Sequence, residues 1–121
     1  MKDPLTEFVL GAAFEVSNTL GAGFLEKVYE RALVRELVLR KVVVKAQVKF
    51  SVNYKGHSVG DYNADLVVED QLLVELKCAD CFSNEDLAQC INYLKASGLK
   101  KGLLINFQKP RLEWKRVVNE L

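Results

Sequence analysis

Three charged side chains, Asp65, Glu75 and Lys77, are the residues of this sequence best suited to chemistry. Glu75 and Lys77 lie two residues apart in an apolar run that reads as a strand, so both side chains point to the same face. Asp65 lies ten residues before Glu75, and a short turn between two strands can bring the two carboxylates together. Carboxylates that converge in this way repel each other unless a cation binds between them.

A cation held by Asp65 and Glu75 fits Mg²⁺, which takes hard oxygen ligands and keeps several of its waters. The backbone carbonyl of Leu76 is well placed as a third ligand, and Mn²⁺ is a natural substitute. Lys77 could orient or deprotonate a water and stabilise charge on a phosphate, while the metal polarises a phosphoryl oxygen. A solvent-facing Glu and Lys at alternate strand positions are also an ordinary surface pattern. The three residues alone leave both interpretations open.

The residues that precede this group predict two helices. Asp3 followed by Pro4 is typical of an N-cap and a first helical residue, and a helix is expected from about Leu5 to Leu20, before a Gly-Ala-Gly break. A second helix is expected from Phe24 to about Arg40. The apolar residues expected to line these helices are Phe8, Ala12, Val16 and Leu20 in the first, and Leu25, Val28, Tyr29, Ala32, Leu33 and Leu37 in the second.

The rest of the chain predicts a sheet with one further helix. Apolar and polar residues alternate from Val44 to Tyr54, as in a half-buried strand. Ser83 and Asp86 resemble a capping box for a third helix that ends near Gly98. The other expected strands are a short one through Val59 and Tyr62, a hairpin of residues 65–69 and 72–77 around Asp70-Gln71, a buried strand at 102–107, and a last strand through Leu112, Trp114 and Val117. This order favours a single α/β domain over residues 1–121.

Charge is distributed unevenly, although the net charge is only +1. Seven basic residues and two acids follow Leu94, and such a segment can bind a polyanion. No apolar run approaches the roughly 20 residues that cross a bilayer, and the N-terminus is not that of a signal peptide. A cytoplasmic protein with reduced cysteines and no membrane partner is expected. Cys78 and Cys81 have CxxC spacing, but a structural zinc site needs more ligands than the chain offers nearby.

The segment Gly23-Phe24-Leu25-Glu26-Lys27-Val28-Tyr29 has the form GxxExxY, and other motifs follow it in order. They are Gly60, residues 65–69, Glu75-Leu76-Lys77, Gln89 with Asn92-Tyr93-Leu94, and residues 102–107. The ordered set covers roughly Phe8 to Arg116 and resembles the PD-(D/E)XK nuclease superfamily, most closely its small GxxExxY branch. The resemblance implies a restriction-endonuclease-like core, which is a mixed β-sheet flanked by helices, here with two N-terminal helices.

The resemblance also implies roles for individual residues. Asp65 and Glu75 match the metal ligands, and Lys77 matches the catalytic lysine. Glu26 resembles the acidic residue that a first core helix contributes to such sites, although it could equally pair with Lys27 or Arg31 on the helix surface. Gln89 and Tyr93 share one helix face and resemble a Gln-x-x-x-Tyr motif that borders the site, although Tyr93 could also be a core residue. The basic residues expected to contact the nucleic-acid backbone are Lys100, Lys101, Arg111, Lys115 and Arg116.

Two positions depart from the resemblance. Close relatives often have Arg where Asn63 stands and His where Asp86 stands. The loss of these groups is expected to weaken phosphate binding and to leave Asp65, Glu75 and Lys77 unaffected.

These observations predict a Mg²⁺-dependent nuclease that acts on nucleic acid, on DNA rather than RNA, with affinity that falls steeply as salt rises. Because a fold does not establish an activity, three alternatives remain open. The chain could be a non-catalytic nucleic-acid-binding module, a subunit that needs a partner protein, or a homodimeric nuclease that cuts branched junctions.

Overall fold

The computed structural model of the chain describes residues 3–119, which form a mixed sheet with helices on both of its faces. The elements within this range are α1 (Pro4–Leu20), α2 (Glu26–Leu39), β1 (Val44–Tyr54), β2 (His57–Val68), β3 (Leu72–Lys77), α3 (Asn84–Ser97), β4 (Lys101–Asn106) and β5 (Glu113–Val118). None of the helices described is long and apolar enough to cross a membrane.

The strands follow the order β1-β2-β3-β4-β5 across the sheet. Only β3 and β4 are parallel, since α3 crosses over between them; the other neighbouring strands are antiparallel. This arrangement confirms the expected α/β fold with two N-terminal helices. The parallel pair sets Lys77 beside Asn106 at one end of the sheet and Leu72 beside Lys101 at the other.

Two apolar clusters cover the two faces of the sheet. On one face, α1 and α2 pack on alternate residues of the central strands, such as Leu66, Val74 and Ile105. On the other face, α3 packs through Cys90 and Leu94 on a smaller cluster. The central strands are therefore apolar on both faces, as expected for strands covered by helices, and polar side chains on them occur only at particular positions.

Two of the three predicted capping residues form the contact or conformation expected of them. Ser83 and Asp86 form a full capping box, in which Oγ of Ser83 accepts from the N–H of Asp86 and the carboxylate of Asp86 accepts from the N–H of Ser83, both at 3.0 Å. Gly98 ends α3 with φ 78°, a left-handed conformation that favours glycine. Asp3, in contrast, makes no capping hydrogen bond to the main chain, because its carboxylate binds Thr6 and Lys101 instead.

The predicted apolar stripes are partly wrong. Phe8 is 42% exposed and Leu25 is 79% exposed, whereas Val9 and Ala13 are buried. Ala12 and Val16 of the expected α1 stripe are buried, whereas Phe8 lies at its margin, where the guanidinium of Arg40 lies over its ring, 5.9 Å from the centroid. Leu25 precedes the first turn of α2, so its side chain is not on the face that packs against the sheet.

β2 is one long strand, whereas the sequence pattern predicts two short ones. Residues 57–68 pair with β1 along nearly their whole length. Asn63 and Gly60 are poor strand formers, but the cross-strand partners in β1 hold them in the ladder. The β1–β2 hairpin extends well past the ladder to β3, which pairs only residues 66–68 of β2. This explains why Val52 and Tyr54, expected on a half-buried face, are exposed.

Candidate active site

Asp65 and Glu75 lie side by side where β2 and β3 separate. The β2–β3 ladder ends at the pair Leu66 and Val74, so Asp65 and Glu75 come next. The main-chain N–H of Asp65 donates to Oε2 of Glu75, and the main-chain N–H of Leu76 donates to Oδ2 of Asp65, each at 2.8 Å. Each carboxylate therefore accepts a hydrogen bond from the opposite strand, and the hairpin brings the two acids together as the sequence predicts.

β2 is irregular at Asp65. Ala64 belongs to the apolar cluster under α3, and Leu66 belongs to the cluster under α1 and α2, although residues two apart on a regular strand share a face. On β1, Gln47 stands between the partners of these two residues and has φ 53°. Local distortions of this kind re-aim side chains and are common beside functional sites. Here the distortion turns Asp65 towards Glu75.

Burial raises the pKa of both carboxyl groups. For Glu75, burial and then the negative charge of Asp65 raise the pKa to about 8. Burial also raises the pKa of Asp65; the N–H of Leu76 opposes this shift, and the charge of Glu30 adds to it. Two acids that resist losing both protons near neutral pH gain stability when a cation binds between them.

Glu26 and Lys77 complete the group of predicted catalytic residues. Glu26 begins α2, and burial followed by the charge of Asp65 raises its pKa. The positive charge of Lys77 opposes the rise in pKa of both Glu26 and Glu75. The structure thus gathers Glu26, Asp65, Glu75 and Lys77, which were inferred from separate motifs.

Lys77 has an ion-pair partner in Asp86, with Nζ 3.4 Å from Oδ1. Asp86 is also the third residue of the α3 capping box, and its hydrogen bond from Ser83 and its proximity to Lys77 lower its pKa. Asp86 is one of the two positions at which the sequence departs from close relatives. The aspartate at this departing position therefore contacts Lys77 directly. This is contrary to the expectation that the departure would leave the three central residues unaffected.

A chain of polar contacts that starts at the buried Glu30 reaches Asp65, and sequence reasoning missed it. Glu30 is 6% exposed and accepts from Nε2 of Gln47 at 2.8 Å and from Nζ of Lys27 at 2.9 Å. Nε2 of Gln47 also lies 3.5 Å from Oδ1 of Asp65. A buried acid one helical turn after Glu26 was the available signal. Lys27 thus pairs with Glu30, so the helix-surface pairing of Glu26 with Lys27 is not formed.

The GxxExxY segment has a structural purpose that its pattern does not reveal. Gly23 has φ 109°, which non-glycine residues rarely adopt. The Tyr29 hydroxyl donates to the carbonyl of Gly21 at 2.6 Å and accepts from the N–H of Phe24 at 3.2 Å. The buried Tyr29 ring stacks on Phe107, with 4.7 Å between centroids. Together these contacts fix the turn that sets the position of Glu26.

The segment after Lys77 is fixed by Asn106, which is fully buried at the end of β4. Its side-chain amide accepts from the N–H of Ala79 at 3.2 Å and donates to the carbonyl of Ala79 at 2.7 Å. It also donates to Glu113 of β5 at 3.1 Å. Because Asn106 is the partner of Lys77 in the parallel ladder, this contact holds the main chain directly beyond the site.

Of the two residues predicted on α3, Tyr93 faces the site and Gln89 is exposed. Burial, with the negative charge of Glu75 next in size, raises the pKa of Tyr93. Its ring stacks on Tyr62 with 3.7 Å between centroids, and the Tyr62 hydroxyl donates to the carbonyl of Tyr93 at 2.7 Å. Tyr93 is therefore half-buried and packed, and it also lies within electrostatic reach of the two acids.

The five predicted backbone-contacting cations do not form one surface. Lys101 pairs with Asp3, and Arg116 pairs with Glu7, both on the α1 side of the sheet. Lys101 and Lys100 lie at the far end of β3 from Lys77, because Lys101 is the partner of Leu72. Arg111 lines a cavity of about 390 Å³ beside Trp114. Lys115 is the partner of Leu104, which is in turn the partner of Glu75, and so lies two strands away, about 10 Å.

Within residues 3–119, no group of three or more His, Cys, Asp or Glu side chains is arranged to hold a metal ion. The donor set nevertheless fits a hard divalent cation, because Asp65 and Glu75 are adjacent and half-buried. Partial burial and a neighbouring negative charge raise the pKa of each carboxyl group. Mg²⁺ commonly binds through one or two carboxylates and keeps water in its other positions. Cys78, Cys81 and Cys90 are free thiols.

The fold and the paired acids define a class of protein, an α/β domain with an acid-acid-lysine site at the end of a mixed sheet. The family model described as PD-(D/E)XK nuclease superfamily matches residues 3–117. The chain belongs to the PD-(D/E)XK nuclease superfamily. Members of this superfamily typically use divalent metals. No curated protein sequence matches the chain significantly.

Solved structures with the same architecture give further support to the fold. An alkaline exonuclease (LHK-Exo) from Laribacter hongkongensis matches with a TM-score of 0.54 at 12% identity, over 95% of this chain and 82% of that one. The structure of a protein named SSO0001 matches with a TM-score of 0.52 at 15% identity, over 98% of this chain and 80% of that one. At such low identity the similarity shows the fold alone and confirms a restriction-endonuclease-like fold.

Proposed function

We propose that this chain is a divalent-metal-dependent nuclease that hydrolyses phosphodiester bonds in nucleic acid, with Mg²⁺ as its cation and DNA as its main substrate. The observation that carries the proposal is the contact between Asp65 and Glu75, reinforced on each side by a main-chain N–H at 2.8 Å. Membership of a nuclease superfamily gives the reaction class. The pair of Asp65 and Glu75, with Lys77 two residues after Glu75, is the part of this chain that suits that reaction.

In this proposal Asp65 and Glu75 hold the metal, and Glu26 extends the metal site. When bound, the metal polarises the phosphoryl oxygen and lowers the pKa of a bound water. Lys77 lies beside the acids, where it takes part in proton transfer and neutralises the negative charge that develops on the phosphate. Tyr93 borders the phosphate from the α3 side. Asp86 holds the Lys77 ammonium at 3.4 Å, so the lysine is already oriented before substrate arrives.

The first experiment is a cleavage panel with purified protein, Mg²⁺ or Mn²⁺, and linear, single-stranded and branched DNA together with RNA. Lys77→Ala should reduce cleavage by about 100-fold or more, since removal of one group that stabilises transition-state charge has effects on this order. Lys45→Ala is the matched control. Lys45 is an exposed lysine that pairs with Asp70 at the β2–β3 turn, so its loss should leave cleavage unchanged.

Each result of this panel has a distinct meaning. Cleavage that survives in Lys77→Ala would refute the assigned lysine. Absence of cleavage by the wild-type protein, combined with salt-sensitive binding of nucleic acid, would identify the non-catalytic binding module. Absence of both cleavage and binding would favour a subunit that needs a partner, whereas preference for branched DNA with self-association would identify the junction-cutting dimer.

A further inference from the structure

A cleft of about 610 Å³ opens between the projecting β1–β2 hairpin and the outer face of α3. Its polar lining residues are Ser51 and Asn53 on β1, and Asn92, Tyr93 and Lys95 on α3. The volume lies within the range of pockets that bind small organic groups. None of the residues assigned above to the metal lines this cleft.

Tyr93 connects the cleft to the catalytic group. Its ring lines the cleft, and its hydroxyl is within electrostatic reach of Glu75 and Lys77. Asn92 follows Asp86, the partner of Lys77, by six residues of α3, which is about 9 Å along a helix. A phosphate at the acid pair and a group in the cleft can therefore belong to neighbouring nucleotides of one strand.

Ser51 in the cleft donates to Asp61 at 3.0 Å, but three other polar side chains of the cleft have no partner in the described part of the chain. Among residues 3–119, the side chains of Asn53, Asn92 and Lys95 are exposed and form no hydrogen bond or ion pair. The register of the β1–β2 ladder shifts between Val52 and Asn53. A bulge of this kind re-aims the side chains that follow it, and here it falls within the segment that lines the cleft. The amides of Asn53 and Asn92 thus line the cleft from opposite walls, and their hydrogen-bond donors and acceptors are free within residues 3–119.

The chemistry of these groups favours a base over a phosphate backbone. Duplex backbones are bound chiefly by several cations, whereas the cleft contains one lysine and two amides. An amide offers a donor and an acceptor together, which matches the edge of a nucleobase. Those edges are free in single strands, whose bases are read by hydrogen bonds and by aromatic contacts.

We propose that this cleft binds an unpaired nucleobase of a single-stranded nucleic acid, with Asn53 and Asn92 contacting the base edge. The proposal rests on the proposed function for the position of the scissile phosphate at Asp65 and Glu75. It adds that the preferred substrate is single-stranded or frayed near the bond that is cut.

The test measures binding by fluorescence anisotropy in EDTA, so that it does not depend on catalysis. The probes are a fluorescein-labelled single-stranded oligonucleotide of mixed sequence and a duplex of the same length. Asn92→Ala and Asn53→Ala should each weaken single-strand binding by about fivefold, the effect expected for one lost hydrogen bond. Their binding to the duplex should not change. Asn18→Ala is the matched control, because Asn18 is an exposed helical asparagine on α1, the helix layer opposite α3.

Equal losses on single strand and duplex, losses no greater than that of Asn18→Ala, or no single-strand binding by the wild-type protein would overturn the proposal. A second measurement separates the cleft from the catalytic group. The small diester bis(p-nitrophenyl) phosphate has no nucleobase to occupy the cleft, so Asn53→Ala and Asn92→Ala should hydrolyse it at the wild-type rate. A wild-type protein that cleaves nothing but shows the expected binding differences would refute the nuclease while supporting the cleft.

Discussion

Asp65 and Glu75 repel each other when both carboxyl groups are charged. A bound cation or a shared proton relieves this repulsion. Both carboxyl groups are largely buried and each accepts a main-chain hydrogen bond from the opposite strand, so they cannot turn away from one another without breaking those bonds. Interacting acids of this kind titrate as a pair. The two acids therefore favour a positive charge at this point of the sheet. Lys77 supplies only part of it, because its ammonium also pairs with Asp86.

The stability of the metal-free protein should fall as pH rises. The pKa of Glu75 in the fold is about 8, above its ordinary value of 4.5, so the folded state binds the extra proton. Its contribution is fully present below pH 4.5 and is lost as pH rises through 8. In EDTA, the free energy of unfolding should drop by more than about 1 kcal/mol between these limits. Urea denaturation followed by the fluorescence of Trp114 measures this.

Glu75→Gln is the control for that prediction, since it removes the titrating group and keeps the shape. The variant should show a flatter dependence on pH, and a saturating divalent cation should flatten the wild-type curve by taking the place of the proton. An identical slope in the wild-type protein and in Glu75→Gln would show that another group is responsible.

Gln47 should act on the site through Asp65 rather than on the substrate. Its amide joins buried Glu30, at 2.8 Å, to Asp65, at 3.5 Å, and partners behind metal ligands typically affect metal affinity by 10- to 100-fold. Gln47→Ala should weaken Mg²⁺ binding by roughly 10-fold, measured by isothermal calorimetry, while kcat at saturating Mg²⁺ stays near the wild-type value. A fall in kcat with unchanged metal affinity would contradict this assignment.

At the scale of elements, the site depends on how strands and helices end. β2 joins the β3 ladder only from residue 66 onward, α2 begins at Glu26, and α3 begins just after Ser83. The main-chain groups left unpaired at such ends are available to side chains. The carboxylates of Asp65 and Glu75 each accept from one of them, which is how a small domain can hold these two acids close together.

The capping box of α3 should contribute measurably to stability. Ser83→Ala removes the hydroxyl that accepts from the N–H of Asp86 at 3.0 Å, and loss of an N-cap side chain typically costs about 1 kcal/mol. The melting temperature should fall by several degrees. Ser58→Ala, at an exposed strand serine outside any cap, should change it little. A Ser83→Ala variant as stable as Ser58→Ala would mean that the box adds nothing.

At the scale of the whole molecule, the basic C-terminal part is divided between two tasks. Lys101 and Arg116 pair with acids of α1 and so attach that helix to the edge of the sheet. Lys115 points to the opposite face, in the same cross-strand row as Glu75, and has no ion-pair partner among residues 3–119. The charge excess visible in the sequence is therefore only partly available to nucleic acid.

Lys115 and Lys101 should differ in their effect on binding. Lys115→Met should weaken duplex binding and reduce the slope of log affinity against log salt by about one, as expected for one lost phosphate contact. Lys101→Met should leave that slope unchanged and alter stability by less than about 1 kcal/mol, because exposed ion pairs contribute little. Anisotropy titrations across a range of salt concentrations measure both, and equal slopes for the two variants would show that these lysines are not distinguished.

The sequence by itself determined the helices, most strands and the pair of acids, because those depend on local periodicity and on a short hairpin. Period two and period 3.6 are visible in neighbouring residues, and the separation of only ten positions from Asp65 to Glu75 leaves few ways to connect two strands. Glu26 was indicated instead by the family resemblance that the motif beginning at Gly23 carries.

Only the tertiary structure decided which other side chains meet there. Glu30 and Gln47 are 17 residues apart, and the pairing of Lys101 and Arg116 with α1 joins the two ends of the described chain. The left-handed φ of Gln47 belongs to the irregular part of the β1–β2 ladder beside Asp65. The exposure of Phe8 on α1 was equally hidden. The physical reason is common to all of them. Long-range packing and charge pairing depend on how the helices dock on the sheet, and no local pattern carries that information.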